Sequence, residues 1–205
     1  VLKAHSSAIP LSAMVVFVYS IQDHADESQE QEIINFLETL IKICYTYDLS
    51  QDIKYKIFDI NVRILNNRPL TSNIEEINDN FFIERRRLRN GFVMLYHYLI
   101  EDNWPSSKVY PNLNVERIVR SNDNAAHSSW PQDSFIEDIE NMANFSIIDF
   151  PKTYKSLMDR SHAYNSSSLT SISKILGHKT YYAYDDFINR KENMKTTLSV
   201  FLTSI

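Results

Sequence analysis

The side chains of this chain that could do chemistry are gathered in one stretch. Residues 113–165 read as an extended piece (LNVERIV), a polar loop, a short apolar run behind an asparagine (NFSII), and a helical piece rich in basic and hydroxyl residues. No other stretch has this strand, loop, strand, helix rhythm; the remainder reads as amphipathic helix. Metal-dependent cleavage of a phosphodiester needs a general base that titrates near neutral pH, usually histidine. It also needs a divalent cation to stabilise charge on the phosphate and the leaving oxygen. Oxygen or imidazole ligands must hold that cation, and a hydrogen-bonding side chain must orient the base.

The six histidines show no metal-ligand spacing such as H-x3-H. His127 in the loop and His162 on the third element lie nearest the site, each more often a surface or satisfied structural residue, and His97, between Tyr96 and Tyr98, reads as a packing residue. Arg85, Arg86, Arg87 and Arg89 place four guanidiniums in five residues, which suits phosphate contacts. The plainer reading is a solvated face paired with nearby carboxylates. Asp133, Glu137, Asp138 and Glu140 are spaced like the first turns of an exposed helix. Cys44, the one cysteine, excludes an internal disulfide and a cysteine-based zinc site, and at its core-facing position it reads as a small buried hydrophobe.

The elements that must position these side chains are mostly helices. The chain has 205 residues, of which 43% are hydrophobic and 12% aromatic, enough for a real core in one large domain or two small ones. Glycine occurs only as Gly91 and Gly177. Loops that cradle phosphates need backbone with positive φ and close approach, so a dinucleotide fold, a P-loop and a G-x-S-x-G elbow are excluded. The net charge of −5 is unevenly placed: residues 1–103 carry 10 basic and 15 acidic side chains, and residues 104–205 carry 11 of each. Any nucleic-acid contact would therefore be a local patch. The apolar run from Ala8 to Ile21 is too short to span a bilayer and reads as a buried helix with Pro10 in its first turn. An opening on Val1 and an apolar close suggest a fragment of a longer protein, in a reducing, cytoplasmic setting.

In order along the chain, Ile33, Leu37, Leu40, Ile41 and Cys44 predict one amphipathic helix, and Ile53, Ile57, Ile60 and Ile64 the next, with Asn66 to Pro69 ending it. Ser50 and Ser72 are candidate N-caps. Phe81 to Asp102 reads as the longest helix, with Leu88, Phe92, Leu95 and Leu99 on one face, stopped by Trp104 and Pro105. A boundary near residues 103–110 would divide a helical scaffold (1–103) from the site module with its flanking helices (104–205). Ser167 to Leu176 reads as a short helix capped by Gly177, and Asp185 to Leu202 as a last helix with Phe187, Met194, Leu198 and Phe201 on one side. The predicted class is mainly α: a multi-helix bundle with a small β-hairpin, or ββα, module in the C-terminal half.

The stretch from Val115 to Arg160 resembles the HNH nuclease module carried at the C-terminus of GmrSD-type modification-dependent restriction proteins. Val115, Glu116, Arg117 and Ile118 stand where that family has E-H-I after an extended apolar residue. Met142 to Ile148 resembles its G-N-L-T-L-L run, with Asn144 matching the asparagine. Lys155 to Arg160 lies where its third element opens, with the asparagine positions changed, and Trp130 falls in a loop where the family often has tryptophan. The upstream helices, including the segment ending in YTYDLS and the arginine-rich helix, look like the linker between that family's halves. The NTPase-like half with its D-G-Q-Q-R motif lies outside this sequence.

The resemblance implies a two-stranded hairpin packed on a helix, with Glu116, Arg117, Asn144 and Asp159 at the family's site positions and Glu116 as ligand to a divalent metal, Mg²⁺ or Mn²⁺. Arg117 stands in place of the catalytic histidine. A guanidinium stays protonated at any working pH, so it cannot serve as general base. The expectation is an HNH-like, DNA-associated domain of a defence-type protein whose endonuclease activity is lost or altered. Arg85, Arg86, Arg89, Arg120 and Lys155 would touch nucleic acid, and an N-terminal NTPase-like domain or partner subunit would complete the protein. The alternative is a helical protein-interaction module with no catalytic site. A third reading, an active nuclease with a displaced base, keeps His127 or His162 in play. The first reading requires strands near residues 113–119 and 144–149 with Glu116 and Asn144 facing one another.

Overall fold

Apolar side chains at helical spacing dictate most of the architecture. The computed structural model describes residues 9–21, 28–46, 52–70, 77, 80–101, 104, 113–123, 129–148, 157–176, 179 and 181–204. In chain order these form α1 (Ile9–Ile21), α2 (Ser28–Thr46), α3 (Asp52–Leu65), α4 (Phe81–Glu84), a 3-10 turn (Arg86–Leu88), α5 (Arg89–Ile100), β1 (Asn114–Arg117), α6 (Phe135–Glu140), a second 3-10 turn (Met142–Asn144), β2 (Phe145–Ile148), α7 (Leu157–Ser166), α8 (Thr170–Ser173) and α9 (Tyr184–Thr203). The fold is mainly helical with a small two-stranded antiparallel sheet in its C-terminal half. Among the described residues no helix is long and apolar enough to cross a membrane. Two compact units are present, Val1–Leu88 with Ser199–Ile205, and Arg89–Leu198. The break expected near residues 103–110 thus lies within the second unit, which α5 opens.

In the first unit α1 packs on α3 and α2. Phe17 stacks on Phe36, ring centroids 3.9 Å apart. The buried stripe of α2 is Phe36, Leu40, Ile43 and Cys44, so the helix is turned by about one position from the face predicted through Ile33, Leu37 and Ile41. On α3 the isoleucine spacing holds, with Ile57, Ile60 and Ile64 buried. That helix ends on Asn67 in the left-handed region (φ 50°), where the Arg68 N–H reaches the Arg63 carbonyl at 2.8 Å. Asparagine tolerates this conformation better than other non-glycine residues. Burial pushes the Cys44 thiol up to about 12, so it stays protonated and packs as a hydrophobe. Ser50 and Ser72, the expected caps, lie outside the described residues, as does Gly177.

The single helix predicted over residues 81–102 is instead α4, a 3-10 turn and α5. At Arg85 the backbone leaves helical geometry (φ −98°, ψ 34°), its side chain lies over the Phe81 ring at 3.9 Å, and it donates to the Thr46 carbonyl at 2.9 Å. Continuing the α-helix would set arginines at positions 85, 86 and 89 beside one another on consecutive turns, a like-charge crowd that opposes it. Leu88, Phe92 and Leu95 are buried as their spacing predicts.

The second unit is built on the ribbon. β1 pairs antiparallel with β2 in the register Asn114 to Ile148, Val115 to Ile147, Glu116 to Ser146 and Arg117 to Phe145. Two isolated strands are marginal in water. Here β2 is buried along its whole length, with α5 and α8 packed against it, and α5 also meets β1. Trp130 anchors the long connection between the strands. It is 3% exposed among Phe135, Tyr182, Tyr184 and Phe187 and donates Nε1–H to the Tyr182 carbonyl at 3.3 Å. On α9, Phe187, Met194 and Leu198 are fully buried in this unit, whereas the buried Leu202 and the half-buried, predicted Phe201 belong to the first unit.

Candidate functional site

Asn144 fixes the geometry around β1. Its side chain is fully buried at the end of the second 3-10 turn, and all its hydrogen-bonding reach is directed inward. Oδ1 accepts the Val119 N–H at 2.9 Å, and Nδ2 donates to the carbonyls of Val119 at 2.8 Å and Ile139 at 3.0 Å. The Ile118 N–H extends the ladder to the Asn144 carbonyl at 2.8 Å. One amide therefore clamps the chain leaving β1 to the end of α6. The expectation that Glu116 faces Asn144 is corrected: Glu116 lies opposite Ser146, and Asn144 lies two positions further along, opposite Ile118.

Beyond the clamp the chain turns sharply. Asp123 accepts the Arg120 N–H at 2.7 Å on its carboxylate and returns its own N–H to the Arg120 carbonyl at 3.0 Å. Arg160 on α7 donates Nη2 to the same carboxylate, an ion pair with side chains 3% and 6% exposed. Desolvating two charges is costly, so such a pair stabilises little in net terms, but losing either partner strands a buried charge. Its use here is positional: α7 holds the turn that presents Arg120, Ser121 and Asn122. Behind it Tyr164 is fully buried, and that burial pushes its phenol above the usual tyrosine range, against the opposing pull of Arg160, Arg190 and Arg120.

The presented side chains line a half-open cavity of about 450 Å³ formed by Glu116, Arg117, Arg120, Ser121, Asn122, Ile139 and Glu140. One wall is an arginine–carboxylate chain. Glu140 Oε1 takes Arg117 Nη2, and Oε2 takes Arg89 Nη1 at 3.1 Å. Both guanidiniums lie at the buried Phe145 ring, Arg89 at 3.8 Å from its centroid and Arg117 at 5.3 Å. Arg117 and Glu140 side chains are each 40% exposed, so water screens their attraction and the pair contributes about 0–1 kcal/mol. The Phe145 face gives both planar cations a second orienting contact.

The predicted residues separate accordingly. Glu116, Arg117 and Arg120 meet in the cavity, and Asn144 supports it from within. Asp159 is exposed in the first turn of α7, outside the cavity lining. Arg85 and the exposed Arg86 belong to the first unit, whereas Arg89 joins the cavity wall through Glu140. Lys155 and His127 lie outside the described residues, and His162 is exposed on α7, away from the cavity lining. The acidic run expected to be a solvated helix face is put to use: Asp138 is buried, accepting from Ser134 Oγ at 2.6 Å and Tyr184 Oη at 3.1 Å, and Glu140 bridges two arginines.

A divalent cation does not fit the donors that meet here. Glu116 is the carboxylate within the cavity that carries the expected ligand role, but Arg117 and Arg120 line the same space, and Glu140 is shared between two guanidiniums. Among the described residues, no group of three or more His, Cys, Asp or Glu side chains is placed to hold a metal ion. Fixed guanidiniums attract an oxyanion instead.

Sequence reasoning passed over a second polar centre. His97 on α5 is fully buried, with Nε2 at 3.1 Å from Ser146 Oγ and 3.2 Å from Arg190 Nη2. Arg190 also donates to the carbonyls of Ala143 at 3.2 Å and Phe145 at 3.1 Å. Since the guanidinium can only donate, Nε2 is an acceptor and the ring is neutral. Burial, aided by the Arg190 charge, holds its pKa well below the ordinary imidazole value. This centre ties α5, β2 and α9 together behind the ribbon. Its signal in the sequence was weak, since a histidine between two tyrosines reads simply as packing.

No protein-family model, curated protein or solved structure gives a significant match to the chain.

Proposed function

We propose that residues 89–198 form an HNH-like ββα module that holds nucleic-acid phosphate through Arg117 and Arg120 and does not cleave it. The observation that carries this reading is the cavity itself. Two guanidiniums occupy the space where phosphodiester cleavage would need a proton acceptor and a cation, and Asn144, Asp123 and Arg160 hold that space in shape. Arginine binds phosphate oxygens with paired, charge-assisted hydrogen bonds. Fixing the loop before binding lowers the ordering cost of the contact. The order of elements, β1, β2 and then α7, supports the resemblance drawn from the sequence. We read DNA as the partner and a defence-type restriction protein as the setting, with an NTPase-like domain or partner subunit supplied elsewhere.

Fluorescence anisotropy with a labelled 20-base-pair duplex tests this. Wild-type protein should bind with an affinity that falls steeply with salt, and the Arg117→Gln, Arg120→Gln double variant should lose about two phosphate contacts, flattening the log–log slope by roughly 1.8. Salt-independent binding, or an unchanged slope in the variant, would remove the basis for the proposal.

The alternative, a helical interaction module, is favoured by one specific feature of the first unit. Leu11, Val15, Val18 and Tyr19 on α1 are 50–71% exposed at helical spacing, and Tyr55 and Phe58 on α3 are 78% and 68% exposed. Apolar groups at that density on a surface mark a face that associates. If Val15→Ser and Tyr19→Ser leave the hydrodynamic size of the chain and its capture of copurifying proteins unchanged, that reading fails.

A further inference from the structure

We infer that Glu140 is an internal stand-in for phosphate: its carboxylate bridges Arg89 and Arg117 where a phosphodiester oxyanion can bind, and a bound phosphate displaces it. The inference rests on the reading of the cavity as a phosphate site. A carboxylate presents two oxygens to two guanidiniums here, one to each arginine, which is the manner in which a phosphate is held between a pair of arginines. Glu140 ends α6, a separate element from both α5 and β1, and its main-chain carbonyl also accepts from Arg89 Nη1 at 3.3 Å, so rotation of the side chain can free the carboxylate while that backbone bond holds Arg89. The Phe145 ring gives both guanidiniums a second contact besides Glu140. With Arg117 and Glu140 each 40% exposed at the cavity, an incoming anion can reach the bond from solvent, whereas the Arg160–Asp123 pair, at 3% and 6%, is closed to it.

Displacement has a cost that the carboxylate sets. Once a phosphate takes Arg117, the Glu140 charge stays nearby and repels it. The residue therefore limits affinity for any singly placed anion, and selects for ligands that present a second phosphate to Arg120. A run of regularly spaced phosphates does this, and a lone phosphate does not.

Glu140→Gln tests the idea because glutamine keeps the shape and one acceptor oxygen but removes the charge. With the full chain and the labelled 20-base-pair duplex, Glu140→Gln should bind on the order of tenfold more tightly at low salt, since no carboxylate then competes with phosphate for Arg117. The gain should vanish in Glu140→Gln, Arg117→Gln. Inorganic phosphate should compete with DNA on Glu140→Gln at concentrations where wild-type binding is unaffected. Unchanged thermal midpoints would show that the fold is kept. If Glu140→Gln binds no more tightly while Arg120→Gln binds less, the stand-in role is wrong and the phosphate site survives. If neither wild type nor Glu140→Gln binds DNA, both readings fall.

Discussion

The two compact units invert one another's chemistry. Around the ribbon, polar side chains are inside: His97, Asp123, Asp138, Asn144, Ser146, Arg160, Ser161 and Ser171 are all buried, whereas Thr46 is the buried polar side chain of the first unit among the described residues. On α1 and α3, apolar side chains are outside. Burying polar groups costs free energy unless each finds a partner, so a region that buries many has its geometry specified closely. A region that exposes many apolar groups has spent little on local specification and offers surface instead. The contrast sets a ribbon whose polar geometry is closely specified against helices that expose apolar surface.

The largest effects should come from the buried polar network. Arg160→Met leaves the Asp123 carboxylate buried without its cation and should destabilise the chain by about 3–5 kcal/mol in urea unfolding. The double variant Arg160→Met, Asp123→Leu should recover much of that loss, and no recovery would mean the pair does more than position the turn. Asn144→Leu abandons three buried backbone partners and should cost a similar amount, about 3 kcal/mol or more.

A smaller effect concerns pH. Above the ordinary imidazole value of 6.5 both folded and unfolded states carry His97 neutral. Below it the unfolded chain takes up a proton that the buried ring refuses, so stability falls as pH falls, by up to about 1.4 kcal/mol per unit. Urea midpoints measured from pH 7 to pH 5 should decline, and His97→Gln should lack that part of the slope. An identical slope in the variant would place the titration elsewhere.

The smallest effect should be on the apolar face of α1. Val15→Ser should change stability by no more than about 0.5 kcal/mol, because the side chain is 69% exposed. Phe17→Ala, two residues on and buried against Phe36, should cost about 3–5 kcal/mol. Equal costs at the two positions would contradict the outward-facing apolar face of α1.

Much of this could be read from the sequence where the cause is local. The isoleucines of α3, the proline at the start of α1, the asparagine that ends α3 and the apolar run of β2 each act within a few residues. The two strands were legible as an extended and an apolar segment, but their register depends on pairing across 27 intervening residues, which placed Glu116 against Ser146 instead of Asn144. Distance along the chain also hid Glu140. It lies 51 residues from Arg89 and 23 from Arg117, and at helical spacing beside Glu137 it looks like an ordinary solvated acid. The break at Arg85 was obscured for a related reason: the apolar spacing of Leu88, Phe92 and Leu95 is helical, and the contacts of Arg85 with Phe81 and Thr46 that accompany the break leave no periodic trace.

The sharpest test puts binding and cutting into one tube. Supercoiled plasmid incubated with the full chain in Mg²⁺ or Mn²⁺ and run on a gel should be retarded at low salt and emerge intact after the protein is removed, as the proposed phosphate-binding, non-cleaving site predicts. Nicked or linear plasmid that no longer forms with Glu116→Ala would contradict this, because it would mean that Glu116 supports hydrolysis in spite of the arginines around it.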